Sequence, residues 1–495
     1  MDDLHDLLSR ATDDVHPTKG GLDRVRTGVR RRQARRRVLA GLVGVVVAVG
    51  ALWVAVEGFR PGALPAADEG PVDPVDVSTL RPSWSLEVPG AASVQGIETD
   101  ADRIYVPTTT GVVAYPKGCS ADPCSPLWHV EIVDEPSRFT ELAVGAGVVA
   151  AALEGRLVVI DAECRTDGGS CQPLWQIDGD EASNGYRSPV IAEQVVMANN
   201  TYGEVPEHRV RVEGFAVRCR DDGNACQPLW RADFGVGPVY VPGTVVSGVF
   251  YQQVGTRKLG VEIDCSAAGE TCEPNFVVEI EGDPSTQESV LYGPVPGPNE
   301  LVFVEGRGSV VAYPEACGVG CRPLWIGRTD DHLETDPVVA RDLVVVSYGG
   351  GLLAYPLGCG IGGHVCAAAW DAELDGYAGI EYADDRFVVA VDRAQNTGIS
   401  IFPTQCASPC EPVWSLDRPG PVYGVTSDGE HLFVAFGTEL AAYPLACGDP
   451  CEPVWRSPVP DETWWILLDG SHIVTASRTN AELGSGLALR IFEAN

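Results

Sequence analysis

Cysteines are the residues of this chain best suited to chemistry, and all 16 fall into eight pairs that are close in sequence. Local cysteine pairs occur in zinc sites, in thiol redox centres and in disulfide-bonded loops. Which of these applies depends on the compartment and on the elements that hold the pairs. The pairs are Cys119–Cys124, Cys164–Cys171, Cys219–Cys226, Cys265–Cys272, Cys317–Cys321, Cys359–Cys366, Cys406–Cys410 and Cys447–Cys451.

An uncharged run of 19 residues, VLAGLVGVVVAVGALWVAV at 38–56, precedes every cysteine and is long enough to cross a bilayer as a helix. Eight arginines lie between Arg24 and Arg37, and an acidic stretch follows the run. The positive-inside rule then places residues 1–37 in the cytoplasm. We predict a single-pass protein of the cell membrane, with a transmembrane helix over 38–58 and the remainder outside, in the periplasm or extracellular space. A cleaved signal peptide is the alternative.

The predicted compartment and the spacing favour disulfides over the other cysteine chemistries. An even number of cysteines outside the cytoplasm is typical of a disulfide framework. Zinc remains an alternative, but it needs four converging ligands, whereas these spacings vary and no histidines are interleaved with them. Redox centres and covalent haem use C-x-x-C and C-x-x-C-H, and neither occurs in the sequence.

Charge is divided unevenly along the chain. Residues 1–37 contain ten Lys/Arg and six Asp, which gives them a net charge of +4. Because the whole chain carries −34, the remainder carries −38. A body this acidic repels nucleic acid, so no nucleic-acid partner is predicted. Residues 59–81, rich in Pro, Ala and acidic residues, are predicted to form a flexible linker.

Each cysteine pair is followed by an aromatic residue, and the whole unit repeats along residues 82–495. The spacing between successive units is 41–55 residues, and short alternating runs such as RIYVPT and GVVAYP separate Gly, Asp and Pro turns. A period of this length with β-like content predicts a β-propeller with one four-stranded blade per repeat. The pairs would lie between the third and outer strands. The aromatic residues are Trp128, Trp175, Trp230, Phe276, Trp325, Trp370, Trp414 and Trp455.

The repeat resembles that of the pyrroloquinoline-quinone-like (quinoprotein-type) β-propellers, here in a membrane-anchored bacterial form. The resemblance lies in Asp-containing turns (ADDRFVVA, SDGEHLFVA, LDGSHIVTA), in a Gly-led third strand and in a Trp on the outer strand. It implies a propeller fold. Quinoprotein dehydrogenases of this family carry adjacent cysteines and a calcium site with Glu, Asn and Asp ligands. This chain has no Cys-Cys pair, so the resemblance does not extend to quinone binding.

Both ends of the repeat region are predicted to share one blade. PSWSLEVP around Trp84 resembles an outer strand without a preceding blade, and WWILLDG, SHIVTAS and GLALRIF near the C-terminus supply three strands without an outer one. Joining them removes two open sheet edges. The prediction is all-β, with one transmembrane helix preceding eight or nine blades, and the arithmetic favours nine.

Two regions are candidate binding sites. The longest insertion, NNTYGEVPEHRVRVEG at 199–214, is predicted to be a loop between the second and third strands of the third blade, on the face opposite the cysteine loops. It brings His208, Arg209 and Arg211 into an acidic body. Trp464 and Trp465 begin an inner strand, where one can line the central channel. The scattered histidines and the absence of G-x-S-x-G, phosphate-loop and EF-hand motifs predict no enzyme, no metal and no cofactor.

These features favour a binding or scaffolding module at the cell envelope whose partner is an envelope protein or a glycan. One alternative is a transmembrane regulator or sensor in which residues 1–37 act on a cytoplasmic partner such as a sigma factor. A quinoprotein-type dehydrogenase is the remaining alternative.

Overall fold

The computed structural model describes residues 74–494, apart from stretches in several connections. The predicted cytoplasmic head, transmembrane helix and residues 59–73 of the predicted linker lie outside the described residues. Within the described part, the chain forms strands and turns, and no helix there has the length and apolarity needed to cross a membrane. The stretches left out are 92–95, 120–122, 134–139, 154, 165–169, 180–184, 203–207, 220–225, 238, 240–241, 266–270, 280–290, 306–307, 330–331, 334–335, 361–363, 375–377, 393–397, 418–420, 449, 460–462 and 480–485.

The described strands form nine sheets, each built on a four-stranded antiparallel blade, and the sheet of blade 5 gains a fifth, parallel strand from the cysteine loop of blade 6. In blades 1 to 8 the strands follow chain order from the innermost to the outer one. Blades 1 to 3 contain β2 (Glu98–Thr99), β3 (Arg103–Pro107), β4 (Gly111–Pro116), β5 (Trp128–Glu131); β6 (Thr140–Gly145), β7 (Val148–Leu153), β8 (Arg156–Asp161), β9 (Trp175–Asp178); and β10 (Gly185–Ala192), β11 (Val195–Tyr202), β12 (Arg209–Ala216), β13 (Trp230–Val236). Blades 4 to 6 contain β14 (Thr244–Val246), β15 (Val249–Val254), β16 (Arg257–Glu262), β17 (Phe276–Glu279); β18 (Leu291–Gly297), β19 (Glu300–Glu305), β20 (Ser309–Pro314), β21 (Trp325–Arg328); and β22 (Val338–Ala340), β23 (Leu343–Tyr348), β24 (Gly351–Pro356), β26 (Trp370–Glu373). Blades 7 and 8 contain β27 (Ala378–Ala383), β28 (Phe387–Asp392), β29 (Gly398–Pro403), β30 (Trp414–Asp417); and β31 (Gly424–Ser427), β32 (His431–Phe436), β33 (Glu439–Pro444), β34 (Trp455–Pro458).

Blade 9 is built from both ends of the described chain. Its strands β35 (Thr463–Asp469), β36 (His472–Thr479) and β37 (Gly486–Glu493) come from the C-terminal end, and β1 (Arg81–Pro89) supplies the outer strand. β1 pairs antiparallel with β37, with Trp84 opposite Ile491. The predicted composite blade and the count of nine are therefore confirmed.

The core lies in the seams between blades. The second and third strands of each blade are buried on both faces, so they are continuous apolar runs such as VVAAAL in β7 and LVVVSY in β23. Buried side chains form one cluster at each of the nine seams among the described blades. One cluster joins Ile491 of blade 9 to Ile104 of blade 1, which closes the ring.

Most of the tryptophans that follow the cysteine pairs link their blade to the next one. Most of them are buried, and their indole N–H donates to the carbonyl oxygen two residues before the first cysteine of the following blade. Trp84 does the same from β1. These Nε1–O pairs are Trp84–Lys117 (2.7 Å), Trp128–Ala162 (3.2 Å), Trp175–Val217 (3.0 Å), Trp230–Ile263 (3.0 Å), Trp370–Thr404 (3.0 Å) and Trp414–Leu445 (3.0 Å). Trp325 instead donates to Oε2 of Glu300, at 3.1 Å.

All eight predicted cysteine pairs are disulfides, and their loops cover the outer strand of the preceding blade. The N–H of Cys171 donates to His129 O at 2.7 Å, and that of Cys272 donates to Arg231 O at 2.6 Å. In blade 6 the loop forms a short strand, β25 (His364–Cys366), that pairs in parallel with β21. An outer strand would otherwise present unpaired backbone groups, so each disulfide loop protects a sheet edge of its neighbour.

Residues 74–80 take the position of a cysteine loop at the seam between blades 8 and 9, which we call the ninth seam. LRPSW at 80–84 matches CEPVW at 451–455, with Leu80 in place of the second cysteine. Leu80 and Val75 are buried between blades 8 and 9, and the Val75 N–H donates to Oδ2 of Asp428 at 2.9 Å. The predicted linker, 59–81, is therefore wrong over its last residues. Apolar residues at 75 and 80 attach this part of the chain to the propeller.

Asp428 also contacts His431, with 3.1 Å between Oδ2 and Nδ1. Burial tends to raise the pKa of Asp428, but hydrogen bonds from the His431 side chain and from the N–H groups of His431, Val75 and Glu430 outweigh it and lower that pKa. The hydrogen bond to Asp428 raises the pKa of His431, against the opposing effect of its burial. The pair is therefore most strongly ionic between about pH 4 and pH 6.5.

A ninth disulfide can be introduced at the seam that lacks one. We expect the variant Asp76→Cys/Leu80→Cys, whose spacing copies that of Cys447 and Cys451, to form a bridge worth about 2 kcal/mol of unfolding free energy. Differential scanning calorimetry should show a higher Tm than for the matched variant Asp76→Ser/Leu80→Ser. Equal Tm values together with two free thiols would show that residues 76–80 do not form an equivalent loop.

The His431–Asp428 pair should make stability depend on pH. The raised pKa of His431 stabilises the fold fully below about pH 6.5, and this contribution is lost as the pH rises through the folded-state pKa. The lowered pKa of Asp428 contributes above about pH 4 and is lost on acidification. We expect the Tm difference between wild type and His431→Gln to be largest near pH 5.5 and to shrink above pH 7. His364→Gln, which alters an exposed histidine of β25, is the control and should give no such profile. A pH-independent difference for His431→Gln would contradict the assignment.

Candidate functional site

The two faces of the ring differ in their connections. In a four-stranded antiparallel blade, the first and third connections lie at one end and the second at the other. The N–H of Lys117, at the start of a cysteine loop, donates to Asp102 O in the first turn of the same blade at 2.8 Å, as this arrangement requires. We call the end with the cysteine loops the disulfide face and the other end the opposite face. Val75 reaches Asp428 in a first turn, so the chain joins the propeller at the disulfide face.

The predicted loop over 199–214 is mostly strand, which corrects the sequence prediction. β11 continues to Tyr202 and β12 begins at Arg209, while residues 203–207 lie outside the described part. Each strand has eight residues, compared with six in β7 and β8 of the neighbouring blade. The pairs Thr201–Val210 and Tyr202–Arg209 continue the ladder because Thr, Tyr and Val suit extended backbone. The result is a hairpin that extends further at the opposite face.

Glu213 is the centre of a buried polar network on the side of this hairpin that faces blade 2. Its carboxylate accepts hydrogen bonds from Arg231 Nε at 2.8 Å, from Asn200 Nδ2 at 3.4 Å and from the Tyr186 hydroxyl. Burial, and next the Glu213 carboxylate, raise the pKa of Tyr186, so its hydroxyl stays protonated and donates. The Tyr186 N–H is also fixed, because it donates to Gly155 O of blade 2 at 3.0 Å.

Arg211 links this network to the surface. Its guanidinium carbon lies 4.6 Å from the centre of the Tyr202 ring, and Nη1 lies 3.9 Å from Oε1 of Glu213. Arg209 is more exposed and lies 3.8 Å from Asp233. His208 precedes β12 and is half-buried, and its Nδ1 makes no hydrogen bond within the described structure. Two of the three predicted residues, Arg209 and Arg211, thus lie in one strand with their side chains on the same side of the sheet.

The next seam, between blades 3 and 4, is polar as well. Asn199 Nδ2 donates to Gln252 Oε1 at 2.9 Å, and both side chains are buried. Gln253 is also buried but faces the following seam, between blades 4 and 5, and its amide donates to Gly255 O at 2.9 Å. The Oδ1 atoms of Asn199 and Asn200 have no hydrogen-bond partner among the described residues. Leaving such acceptors unpaired is unfavourable, so packing alone does not account for these side chains.

Lys258 extends the polar region into the seam between blades 4 and 5. It is buried, and Nζ donates to Gly293 O at 2.8 Å. Burial lowers its pKa to about 8, with a small opposing effect from Asp336. The equivalent positions in the third strands of blades 2 and 5 hold Leu157 and Val310. A lysine here is therefore an exception to the apolar pattern.

We refer to Asn199, Asn200, Glu213, Gln252, Gln253 and Lys258 together as the polar sector. These side chains lie in three successive seams, towards the opposite face. The insertion was predicted from the sequence, whereas the polar sector was not. Its indication in the sequence is the second strand, where VMANN and YQQV replace apolar runs such as VVAAA.

Trp464 and Trp465 do begin the innermost strand of blade 9, as predicted. A bulge falls between Thr463 and Trp465, so Trp464 is the extra residue. Trp465 is half-buried and packs against the seam between blades 9 and 1. The Trp464 side chain lies outside the described part, so its place in the channel remains a prediction.

Other features of the described residues add no clear reactive centre. A cavity of about 260 Å³ lies near the seam between blades 9 and 1, with Thr109, His129 and Glu131 in its lining. Within the described ranges, no three His, Cys, Asp or Glu side chains are placed to hold a metal ion. The arrangement in the polar sector, where a buried carboxylate is engaged by arginine and tyrosine donors, suits recognition.

Comparisons with known proteins give the fold but no family. No family model matches the chain, and no curated protein matches it. Among solved structures, a europium-containing methanol dehydrogenase is 12% identical, covering 84% of this chain and 94% of that one with a TM-score of 0.50. BamB from Moraxella catarrhalis is 11% identical over 71% of this chain and 96% of its own, with a TM-score of 0.44. Sqt1 from Saccharomyces cerevisiae is 10% identical over 84% and 99%, with a TM-score of 0.46. At these identities the likeness shows a β-propeller and nothing more specific.

Proposed function

We propose that this chain is an extracytoplasmic binding module, held at the membrane by one helix over 38–58, that engages an envelope partner through the opposite face. The observation that carries this proposal is the polar sector. It gathers six of the 16 buried polar side chains of the described residues into three adjacent seams, beside the extended hairpin of blade 3. Buried polar groups reduce stability, and their concentration at one place is typical of a functional surface.

A binding role is favoured over a catalytic one because the side chains best suited to acid–base catalysis, Glu213 and Lys258, already form hydrogen bonds within the protein. Glu213 is held by Arg231 and Tyr186, and so is a poor general base. Lys258 is enclosed between two blades with its Nζ on the Gly293 carbonyl.

The cellular location and the type of propeller repeat are also part of this proposal. Eight disulfides suit an oxidising compartment, and the arginine cluster before residue 38 suits a cytoplasmic N-terminus. We also propose that the repeats are of the pyrroloquinoline-quinone-like type. Asp384 and Asp428 accept backbone N–H groups in first turns, as the Asp turns of that repeat would.

Fusion of alkaline phosphatase after Asn495 tests the topology. We expect active phosphatase in a membrane fraction that resists carbonate extraction, because the enzyme needs an oxidising compartment and the helix would anchor it. A matched fusion after Arg37 should be inactive. Activity in the soluble fraction would contradict the anchor and favour a cleaved signal peptide.

Site-specific photo-crosslinking in intact cells tests which face binds. A photoreactive residue at Thr256, in the turn between β15 and β16 beside the polar sector, should give an adduct of defined mass. The same residue at Val365, exposed on the disulfide face, is the matched control and should give none. Adducts from Val365 alone, or from neither position, would overturn the proposed function.

A further inference from the structure

The extended hairpin of blade 3 carries a set of arginines on the side that faces blade 2. Residues opposite each other in the ladder, such as Tyr202 and Arg209, share one side of the sheet. Ala198 and Phe215 lie on this side and pack against Val148 of blade 2, which fixes its direction. We call the four side chains Tyr202, Arg209, Arg211 and Arg231 the arginine ledge.

The ledge is held in place before any partner binds. Arg211 is fixed between the Tyr202 ring and Glu213, and Arg231 is fixed by its Nε bond to the same carboxylate. The side chains of Arg211 and Arg231 are nevertheless 31% and 42% exposed. A guanidinium has five N–H donors, so contacts with one carboxylate leave several for a ligand. Because these side chains are already ordered, binding would lose little side-chain entropy.

The charge of the surrounding chain makes the ledge an exception. Among the described residues, the three arginines face two carboxylates, Glu213 and Asp233, so these five side chains carry a net positive charge. Residues 156–258 contain ten Lys/Arg and 13 Asp/Glu, a net charge of −3. Residues 259–495 contain ten Lys/Arg and 35 Asp/Glu, a net charge of −25. An anionic partner would be repelled by most of the ring and guided to this sector.

Resting on the proposed function, we infer that the arginine ledge binds a carboxylate-rich peptide segment of the envelope partner. Planar guanidinium groups match carboxylates in paired hydrogen bonds. Arg211 occupies a face of the Tyr202 ring, which disfavours stacking of a sugar on that face. A flat anionic membrane would also meet the acidic remainder of the ring, whereas a peptide contacts the ledge alone.

Fluorescence anisotropy with the full chain in detergent tests this inference. The probe is a short fluorescent peptide in which Glu alternates with Gly, compared with the same peptide carrying Gln in place of Glu. We expect binding of the acidic peptide alone, weakening as salt is raised. Arg211→Gln should weaken it roughly tenfold and Arg211→Lys less, because lysine keeps the charge but loses the planar fork. Asp233→Asn should strengthen binding about twofold to threefold by removing a competing carboxylate.

Arg456→Gln is the matched control, since Arg456 is 45% exposed and also lies near two carboxylates, but on blade 8. It should leave the affinity and the Tm unchanged. Equal affinity of wild type and a folded Arg211→Gln variant would overturn the inference, as would no binding at low salt. Stronger competition by hyaluronan or anionic vesicles, lost in the same variant, would also overturn it in favour of a glycan or a membrane.

If Thr256 still crosslinks a partner while Arg211→Gln has no effect, the proposed function stands without the ledge. If no position crosslinks, the proposed function itself fails.

Discussion

The packing of each blade against the next is the constraint on which this fold depends. The middle strands of a blade are apolar on both faces, so an isolated blade would expose two hydrophobic surfaces to water. The ring solves this only if every seam is made, including the last. The indole N–H donated from one blade to the backbone of the next fixes the register of that contact, since the acceptor lies just before the cysteine loop. The loop itself then covers the outer strand, so one local motif serves both packing and edge protection.

This dependence on the seams explains why the polar sector is informative. A polar side chain in the middle of a seam loses water and must find partners across the same interface. Asn199 and Gln252 hydrogen-bond to each other, and the Glu213 carboxylate accepts a bond from Arg231. The Oδ1 atoms of Asn199 and Asn200 have no partner among the described residues. Strand β7 of blade 2 shows that such a strand can be built with Val, Ala and Leu alone, and Ser347 and Thr475 show that blades 6 and 9 bury small hydroxyl side chains in their second strands. Selection for something other than packing is the simplest physical explanation for the difference.

The propeller was predictable because its repeat places aromatic residues and cysteines at fixed points in each blade. The composite blade followed from PSWSLEVP and the three C-terminal strand segments that lacked an outer strand, and the local cysteine pairs needed no long-range information. The extent of β11 and β12 was not predictable in the same way. Gly203 and Pro206 favour a loop, while the ladder that continues to Tyr202 and Arg209 depends on pairing within an already formed sheet. The burial of Val75 and Leu80 depends on a seam that exists only once the ring has closed. Lys258 stands at one position of one strand, and only alignment with the other third strands shows that an apolar residue belongs there.

The ninth seam follows from the same constraint, because residues from both ends of the described chain, such as Leu80 and Phe492, pack together there. The first eight seams each have a covalent loop from a continuous stretch of chain. At the ninth, the third strand ends with Glu493 and the loop position is filled from the N-terminal side by residues 76–80. Leu80 supplies by burial what the second cysteine supplies elsewhere, and Asp428 anchors the Val75 N–H with His431 as its counter-charge. The seam without a covalent loop is therefore also the one at which the N-terminal segment joins the ring. Residues 74–80 therefore join the ring at the disulfide face, whereas the arginine ledge lies at the opposite face and on a different blade.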